Sequence, residues 1–522
     1  MLTNLKFGRD DAESEQDFLQ QVFLPTALFK RVKNNDKWLV LGRKGSGKTA
    51  LCLTLFHELQ SEQAYVSLIE PANFSVATQS ILNKGSINLS EASKLSWKYV
   101  FLTELGKYIL EAAIQKEGKN QRHWTEEAKK VREFLVQGDN RFASWLDKAL
   151  KKTSEFTKFA LEIATIKAEA ERTPMIQEAS ALRDTLDDIG QYIEKCMGKY
   201  FDQPIYILID KIDEHWSQSP ESSDLIIGLL KAAKECREKI PQARLVVFLR
   251  SDIFETLKFD DLDKFRSIGE RVAWEKESLL KLISLRISAS IGGKPSADHA
   301  WQKVFPKTIG NENSFSYLLG YTLMRPRDLI QLCNHCKDIA ENHASDKIDI
   351  KAITKALPEY SRWKLDDLVI EYRVQYPFLE KVFWNVFYRA PHRFDIANLK
   401  KRITPRLAKW SSESGGEYFK PLGKLLEVLY KIGFIGVVKP GKVIYFYDAI
   451  PITISDTKEY VIHPAFRPAL EVVESIEHMK TIRISRDKAG NKRKSNYGYG
   501  ESKPPPPPND DYPDDPPTPG PA

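Results

Sequence analysis

Along the first 75 residues the apolar positions change period three times. Helical spacing from about residue 15 gives way to the unbroken run "KWLVLG" (37–42). A helical stretch from Lys48 to about Leu59 follows, and then a second β-rich run, "AYVSLIEP" (64–71). Runs of this second kind return at "PIYILID" (204–210) and "ARLVVFLR" (243–250), separated by a helical pattern over about 222–238. Short continuous apolar strands alternating with helices predict a parallel sheet buried on both faces. Between them, roughly 75–200, the chain is polar, rich in Lys, Glu and Ala, and helical in period. Phe156, Phe159, Ile163 and Ile166 share one face, and Leu182, Leu186, Ile189 and Ile193 share another, with Pro174 expected to separate the two helices.

After residue 275 the pattern is mainly helical to about 385. From 424 the helix "KLLEVLYKIG" runs into "FIGVV", a Pro-Gly turn at 440–441, and "VIYFYDAI". A helix followed by such a hairpin predicts a winged helix. The expected organisation is an α/β core from 1–74 and 201–274, a helical insertion from 75–200, a helical lid from 275–356, a winged-helix domain from 357–478, and a tail from 479–522. The tail is basic over 480–494, and its Pro- and Asp-rich end cannot form a core.

Composition narrows the class without naming a function. A 522-residue chain with 42% hydrophobic and 29% charged residues can bury several cores. No apolar run reaches the eighteen or so residues of a membrane span, the first thirty residues lack a signal-peptide core, and five cysteines form no disulfide pattern, so a cytoplasmic protein is expected. A net charge of +7 is mild for this length and does not itself argue for nucleic acid.

The chemistry is concentrated in four segments. In "GRKGSGKTA", Gly42, Gly47, Lys48 and Thr49 fall at G-x-x-x-x-G-K-T spacing between a strand and a helix. Such a loop turns backbone N–H groups toward a phosphate, and the following helix adds its positive end. Gly42, Arg43, Lys44, Gly45, Ser46, Gly47, Lys48, Thr49 and Ala50 are therefore the candidate nucleotide-binding residues. Lys48 would supply charge at the β/γ-phosphates and Thr49 a ligand to Mg²⁺. "ILIDKIDE" places Asp210 at the end of an apolar strand as the second metal-side group, with Glu214, and after it Asp213, as candidates to orient a water. "LVVFLRSD" ends in Arg250 and Ser251, placed to sense a γ-phosphate, and "MRPRDL" sets Arg327 at the start of a helix, placed to reach it from a second domain. A GTPase clamp is absent, since "NNDK" (34–37) precedes the loop and has the wrong order. "CNHC" (333–336) has metal-like spacing without a second ligand pair and reads as two thiols on a helix. "SSESGGE" (411–417) reads as a polar loop.

With these segments in hand the chain resembles the AAA+/STAND class of P-loop ATPases, nearest its Cdc6/ORC-like and KAP-like bacterial branches. The likeness covers about 5–345, with the four segments in the places of Walker A, Walker B, sensor 1 and sensor 2, and "RVAWEKESLLKLISLRI" (271–287) in that of the lid entry. It implies ATP and Mg²⁺ as cofactors, adenine held near "FGRDDAESE" (7–15), an insertion like that of KAP-like proteins, and a homo-oligomer completed by an arginine from a neighbour, for which Arg266 is suitably placed. Related ATPases lie near bacterial defence genes, which suggests an antiphage role. Where many STAND proteins carry two adjacent acids after the Walker B strand, Lys211 follows Asp210 here, so slow hydrolysis is expected. The resulting expectation is an ATP-driven switch acting on another protein chain. The alternatives are a DNA-acting ATPase, using "NLKKRITPRLAKW" (398–410), Lys439 and Lys442 of the winged helix on double-stranded DNA, and a nucleotide-gated binding module with little turnover.

Overall fold

The computed structural model describes residues 2–9, 11–70, 89–136, 175–214, 216–292, 296–413 and 415–473. The expected face Phe156–Ile166, the break at Pro174, the basic run and the Pro/Asp tail lie outside the described residues. Strands β1 (Leu39–Gly42), β2 (Tyr65–Ile69), β3 (Ile205–Ile209), β4 (Ala243–Arg250) and β5 (Gly269–Arg271) form one parallel sheet in the order β2-β3-β4-β1-β5. Side chains alternate between its faces, and both faces are covered, which is why the strands read as unbroken apolar runs. Leu39, Leu41, Ile207, Val247 and Leu249 join one core, while Val40, Leu208, Val246 and Phe248 join the other. Sequence patterning anticipated four of these strands. The fifth, β5, is three residues long and half-exposed, too short to carry a period.

Helices α1 (Gln16–Val22), α2 (Ala27–Lys33) and α3 (Lys48–Ser61) lie in the N-terminal part; Leu28, Val32, Leu51 and Leu55 of α2 and α3 cover the second face. The insertion contributes α4 (Leu89–Glu117), α5 (Glu126–Val136) and α6 (Met175–Tyr200), which pack with α7 (Pro220–Lys239) on the first face. The insertion shares the sheet's core: Trp97, Phe101, Leu105, Leu186, Ile189 and Ile193 are buried in one cluster with β3 and β4. Ser219 caps α7 at the Ser222 N–H, with Pro220 in its first turn. Short helices α8 (Ser251–Thr256) and α9 (Leu262–Ile268) lead to β5.

The lid is built from α10 (Lys276–Ile291), α11 (Ala297–Val304), the short ribbon β6 (Thr308–Ile309) and β7 (Glu312–Asn313), α12 (Ser314–Leu319) and α13 (Pro326–Asn342), around Trp301, Phe315 and Leu329, with Leu5 and Phe7 of the N-terminal segment in the same core. Cys333 and Cys336 of α13 are buried there as packing thiols. Helix α14 (Ile350–Tyr372), capped by Asp349 at the Ala352 N–H, runs straight through the boundary expected at 356/357. Its first half packs in the lid core (Ile353, Leu357, Tyr360) and its second in the winged-helix core (Leu365, Leu368, Tyr372).

The winged-helix region carries β8 (Arg393–Phe394), β9 (Ile435–Lys439), β10 (Lys442–Ile444) and β11 (Tyr460–Ile462) in an antiparallel sheet ordered β10-β9-β11-β8. The hairpin falls at the Pro440–Gly441 turn as expected, but its second strand ends at Ile444. The Asp448 carboxylate accepts the Tyr445 N–H at 2.7 Å and closes a short 3₁₀ turn, so that N–H is lost to the ladder. No helix among the described residues is long and apolar enough to cross a membrane.

Candidate functional site

Between β1 and α3 the chain makes the tight loop that the glycine spacing predicts. Gly45 and Gly47 have φ of +75° and +96°, which an L side chain resists, and a Cβ on Gly45 would come to 3.0 Å from the Arg327 side chain. The loop's carbonyl groups are engaged by protein donors. The Lys48 ammonium donates to Gly42 O at 3.0 Å, Arg325 Nη1 to Lys44 O at 2.9 Å, and Trp274 Nε1 to Ser46 O at 2.8 Å. The Arg327 N–H reaches Gly45 O at 3.4 Å. With its carbonyls held, the loop can offer N–H groups to an anion, and α3 begins with no side-chain cap to compete for its first N–H groups.

This loop forms the floor of a cavity of about 480 Å³. Lys44, Gly45, Gly47, Lys48, Thr49 and Ala50 line it from below, and Asp210, Asp213, Glu214 and Arg250 from the strand ends. Arg327 and Pro326 close it from the lid, and apolar side chains including Leu19, Phe23, Trp274 and Ile330 form a slot at one side. Arg9, Asp11, Ala12, Glu13 and Glu15 of the early segment also face it; Asp10 lies outside the described residues.

Asp210 is 2% exposed, and its Oδ2 is buried with no hydrogen-bond partner. Burial pushes its carboxyl up to about 6, against the pull of the Lys48 charge and the Thr49 hydroxyl. A buried carboxylate oxygen left without a partner is costly, and one facing a threonine hydroxyl suits a hard divalent cation. The residues present therefore fit Mg²⁺, with Thr49 and Asp210 as the groups that would hold it.

The remaining predicted residues separate by position. Asp213 is half-buried, with its Oδ2 4.0 Å from Arg250 Nε, while Glu214 is exposed at the mouth. Arg250 is gripped by Asp252, through Nε–Oδ1 at 3.1 Å and Nη2–Oδ2 at 2.5 Å, and donates to Glu371 O at 3.4 Å. Although burial opposes its charge, Asp252 raises its pKa. Ser251 is buried as the first residue of α8. Arg266 is exposed on α9 and takes no part in lining this cavity. Arg43 belongs to the loop by its backbone only. Its guanidinium lies 4.3 Å from the Phe446 ring centroid and donates to Lys431 O, both in the winged-helix region.

Sequence reading passed over the carboxylates of α14. Asp367 faces Lys44 at 3.6 Å and Arg327 at 3.9 Å, and Glu371 Oε2 accepts from Arg325 at 2.9 Å. Burial works to raise the Asp367 pKa, but Lys364, Lys44 and Arg327 outweigh it and bring it down to about 2. Lys364 and Asp328, both fully buried, complete the network at 2.8 Å. The signal available was an acid at i and i+4 on a helix flanked by apolar positions, which a surface helix also shows.

Comparison with known proteins agrees with this layout only in part. Residues 277–369, the lid and most of α14, match the family model of the FunZ-associated C-terminal helical domain. The chain is 26% identical over 456 residues to the Escherichia coli K12 protein described as transposon gamma-delta 80.3 kDa protein, covering 83% of this chain but 61% of that protein's length. It is 28% identical over 139 residues to allergen Alt a 2 of Alternaria alternata, covering 26% of this chain and 73% of that one. Similar solved structures include Cdc6p from Pyrobaculum aerophilum (10% identity, 93% of this chain and 98% of that one, TM-score 0.32). The Aeropyrum pernix ORC2 protein in its ADPNP-ADP complexes is another (13%, 91% and 95%, TM-score 0.35), and Drosophila ORC bound to DNA a third (11%, 90% and 88%, TM-score 0.28). They belong to the Cdc6/ORC class of AAA+ ATPases that the four motifs resemble. At such TM-scores the likeness is loose, and the P-loop α/β assignment rests on the strand order and the loop itself.

Proposed function

We propose that the chain binds ATP with Mg²⁺ in this cavity and uses it as a switch between the sheet and the lid. The observation that carries the reading is the convergence of Lys48, Thr49 and Asp210 from the sheet with Arg327 from the lid on one space. Mg²⁺, when bound, neutralises charge between the phosphates. Lys48 would leave the Gly42 and Arg43 carbonyls to which it now donates and meet the β/γ-phosphates, and the loop N–H groups would cradle them. Arg327 would exchange Asp367 for phosphate, so that ATP favours one angle of lid and α14, and its loss another. Glu214 is the first candidate to orient water and Asp213 the second; with Lys211 in the place of an acid beside Asp210, turnover is expected to be slow. The exposed position of Arg266 suits action on a neighbouring subunit's site, and the switch would assemble or remodel a complex with another chain. A place in bacterial antiphage defence is the outermost form of this reading.

A second reading, in which the ATPase acts on double-stranded DNA, is favoured by one observation. The relative of which 61% is spanned is described as a transposon protein. In this chain Lys400 and Lys401 in the last turn of helix α15 (Ile396–Ile403), and Arg406 just after it, are exposed, and Lys439 and Lys442 pair across the hairpin tip. Arg402 is committed to the carbonyls of Val386 and Tyr388 instead.

ATP hydrolysis and particle mass, measured on one sample with and without duplex DNA, separate these readings. With ATP raising the mass and DNA without effect, the protein switch stands. DNA-accelerated hydrolysis with steep salt dependence favours the second reading. Binding with neither turnover nor assembly, unchanged by Glu214→Gln, leaves a nucleotide-gated module. Absence of nucleotide binding sinks all three.

A further inference from the structure

Lys211 stands directly after Asp210 and adopts a left-handed φ of 61°. L residues take up that conformation only at an energetic cost, so it persists where surrounding contacts hold it. Two carboxylates supply those contacts. Lys211 Nζ lies 2.9 Å from Glu13 Oε1 and 3.0 Å from Glu70 Oε1. Glu70 follows β2 and belongs to the sheet. Glu13 belongs to the early segment that walls one side of the cavity. Burial opposes the ammonium charge, but the two carboxylates more than offset it and raise its pKa.

The same segment has a second anchor on the lid. Glu15 and Arg286 form a buried pair at 2.6 Å, and Arg286 Nη1 also donates to Phe7 O at 2.8 Å. The Arg9 N–H donates to Glu15 Oε2 at 2.7 Å, and Asn334 Nδ2 to Gly8 O at 2.9 Å. The segment is thus fixed to the lid by several bonds, and Lys211 ties it to the sheet through Glu13.

We infer that Lys211 is a positioning residue that straps the wall formed by residues 11–15 to the end of β3, and so sets how long a nucleotide stays in the cavity. This rests on the nucleotide reading proposed above. Lys211 touches no reacting atom; it acts through Glu13. Breaking the pair removes the ionic tie to the sheet and leaves the wall on its lid anchor and its packing against α3, and a bound nucleotide escapes faster.

The test is the release rate of a fluorescent ADP analogue from the full chain, chased with excess ATP. Lys211→Met and Glu13→Gln should each speed release about threefold to fivefold, the range of a half-exposed charge pair. The double variant should be no faster than either alone, because both remove one tether. Glu70→Gln, on the sheet side, should not speed release. Lys211→Met risks loosening the turn itself, so Glu13→Gln, on the wall, carries the test independently. The inference is overturned if both single variants release at the wild-type rate, if their effects multiply, or if release quickens only in step with lost thermal stability. If the wild-type chain binds no analogue and Lys48→Ala behaves identically, the nucleotide reading itself has failed, and this one with it. Binding with unaltered release sinks the tether alone.

Discussion

The cavity has two walls of opposite construction. On the sheet side, β1, β3 and β4 are apolar along the stretches that lead to the cavity, and the polar groups that face it appear where the strands stop, at Asp210 and Arg250; Tyr206 and Arg244 bond each other at the far ends of β3 and β4. On the lid side, a run of charged groups is buried inside the protein: Arg325 with Glu371, and Lys364 with Asp328 and Asp367. The first wall gets its rigidity from non-directional burial and can spare its few polar atoms for a ligand. The second is held by directional pairs whose partners are all on α13, α14 and the loop, so a change at any one of them is felt across the domain boundary that α14 spans.

The sharpest contrast should be between two cations on opposite walls. Arg325 is 3% exposed and holds both Glu371 and Lys44 O; burial opposes its charge, but Glu371 and Asp328 raise its pKa. Arg325→Met would leave Glu371 as a buried, unpaired charge, and should cost roughly 3–5 kcal/mol of stability. Urea unfolding would show it even with no nucleotide present. Lys48→Ala should do the reverse, lowering ATP affinity at least about tenfold through the lost charged contact while leaving the urea midpoint nearly unchanged. Equal stability losses in the two variants would erase the distinction between the walls. Arg327→Ala, two residues from Arg325, should resemble Lys48→Ala rather than its neighbour.

Acid should also act unequally. His463, in the winged-helix core, is fully buried, accepts the Ala465 N–H at Nδ1 and meets Tyr447 Oη at 3.1 Å through Nε2. Burial, helped by Arg467 and Lys364, pushes its pKa down to about 3. Its folded pKa thus lies below the unfolded value near 6.5, so the unfolded chain binds a proton that the folded chain refuses. The stabilisation is complete above about 6.5 and drains away as pH falls toward 3, by up to about 1.4 kcal/mol per pH unit. His463→Asn keeps an acceptor near the Ala465 N–H and removes the titration. Its stability should be lower at neutral pH but flatter between pH 6.5 and 4. A wild-type slope persisting in the variant would assign the acid sensitivity elsewhere.

The difference between the walls also explains what the sequence made visible. An apolar strand ending in a carboxylate is a local pattern, so Asp210 and the strands β1 to β4 were legible within a few residues of their true bounds. The phosphate loop was equally local, because Gly45 and Gly47 must take left-handed angles wherever the chain folds. The lid wall is made of pairs far apart in sequence, such as Arg325 with Glu371 and Arg286 with Glu15. Acids on an amphipathic helix look the same whether they face water or a buried arginine. "MRPRDL" therefore showed two arginines without showing that the first is packed inside and the second faces the cavity. Strands β5, β8 and β11, two or three residues each, exist through their partners and carry no period of their own.

Arg43 is where the local pattern misleads most, and it offers the smallest test. By spacing it is a residue of the phosphate loop, yet its side chain spans from that loop to Phe446 and Lys431 O of the winged helix. Burial lowers its pKa, and one guanidinium nitrogen, Nη1, is buried without a partner, so the docking is not an ideal fit. A stacked, half-desolvated guanidinium contributes roughly 0.5–2 kcal/mol. Arg43→Ala should therefore cost about 1 kcal/mol, seen as faster amide exchange at residues 431–434 and 446–448, with a smaller change in ATP affinity than Lys48→Ala produces. Arg43→Lys should recover only part of it, because an ammonium can meet the Lys431 carbonyl but cannot stack as a plane on the ring. Should Arg43→Ala instead abolish nucleotide binding and leave exchange in the winged helix untouched, the side chain belongs to the sheet wall after all, and the loop meets the lid and α14 through Lys44 and its carbonyl groups rather than through Arg43.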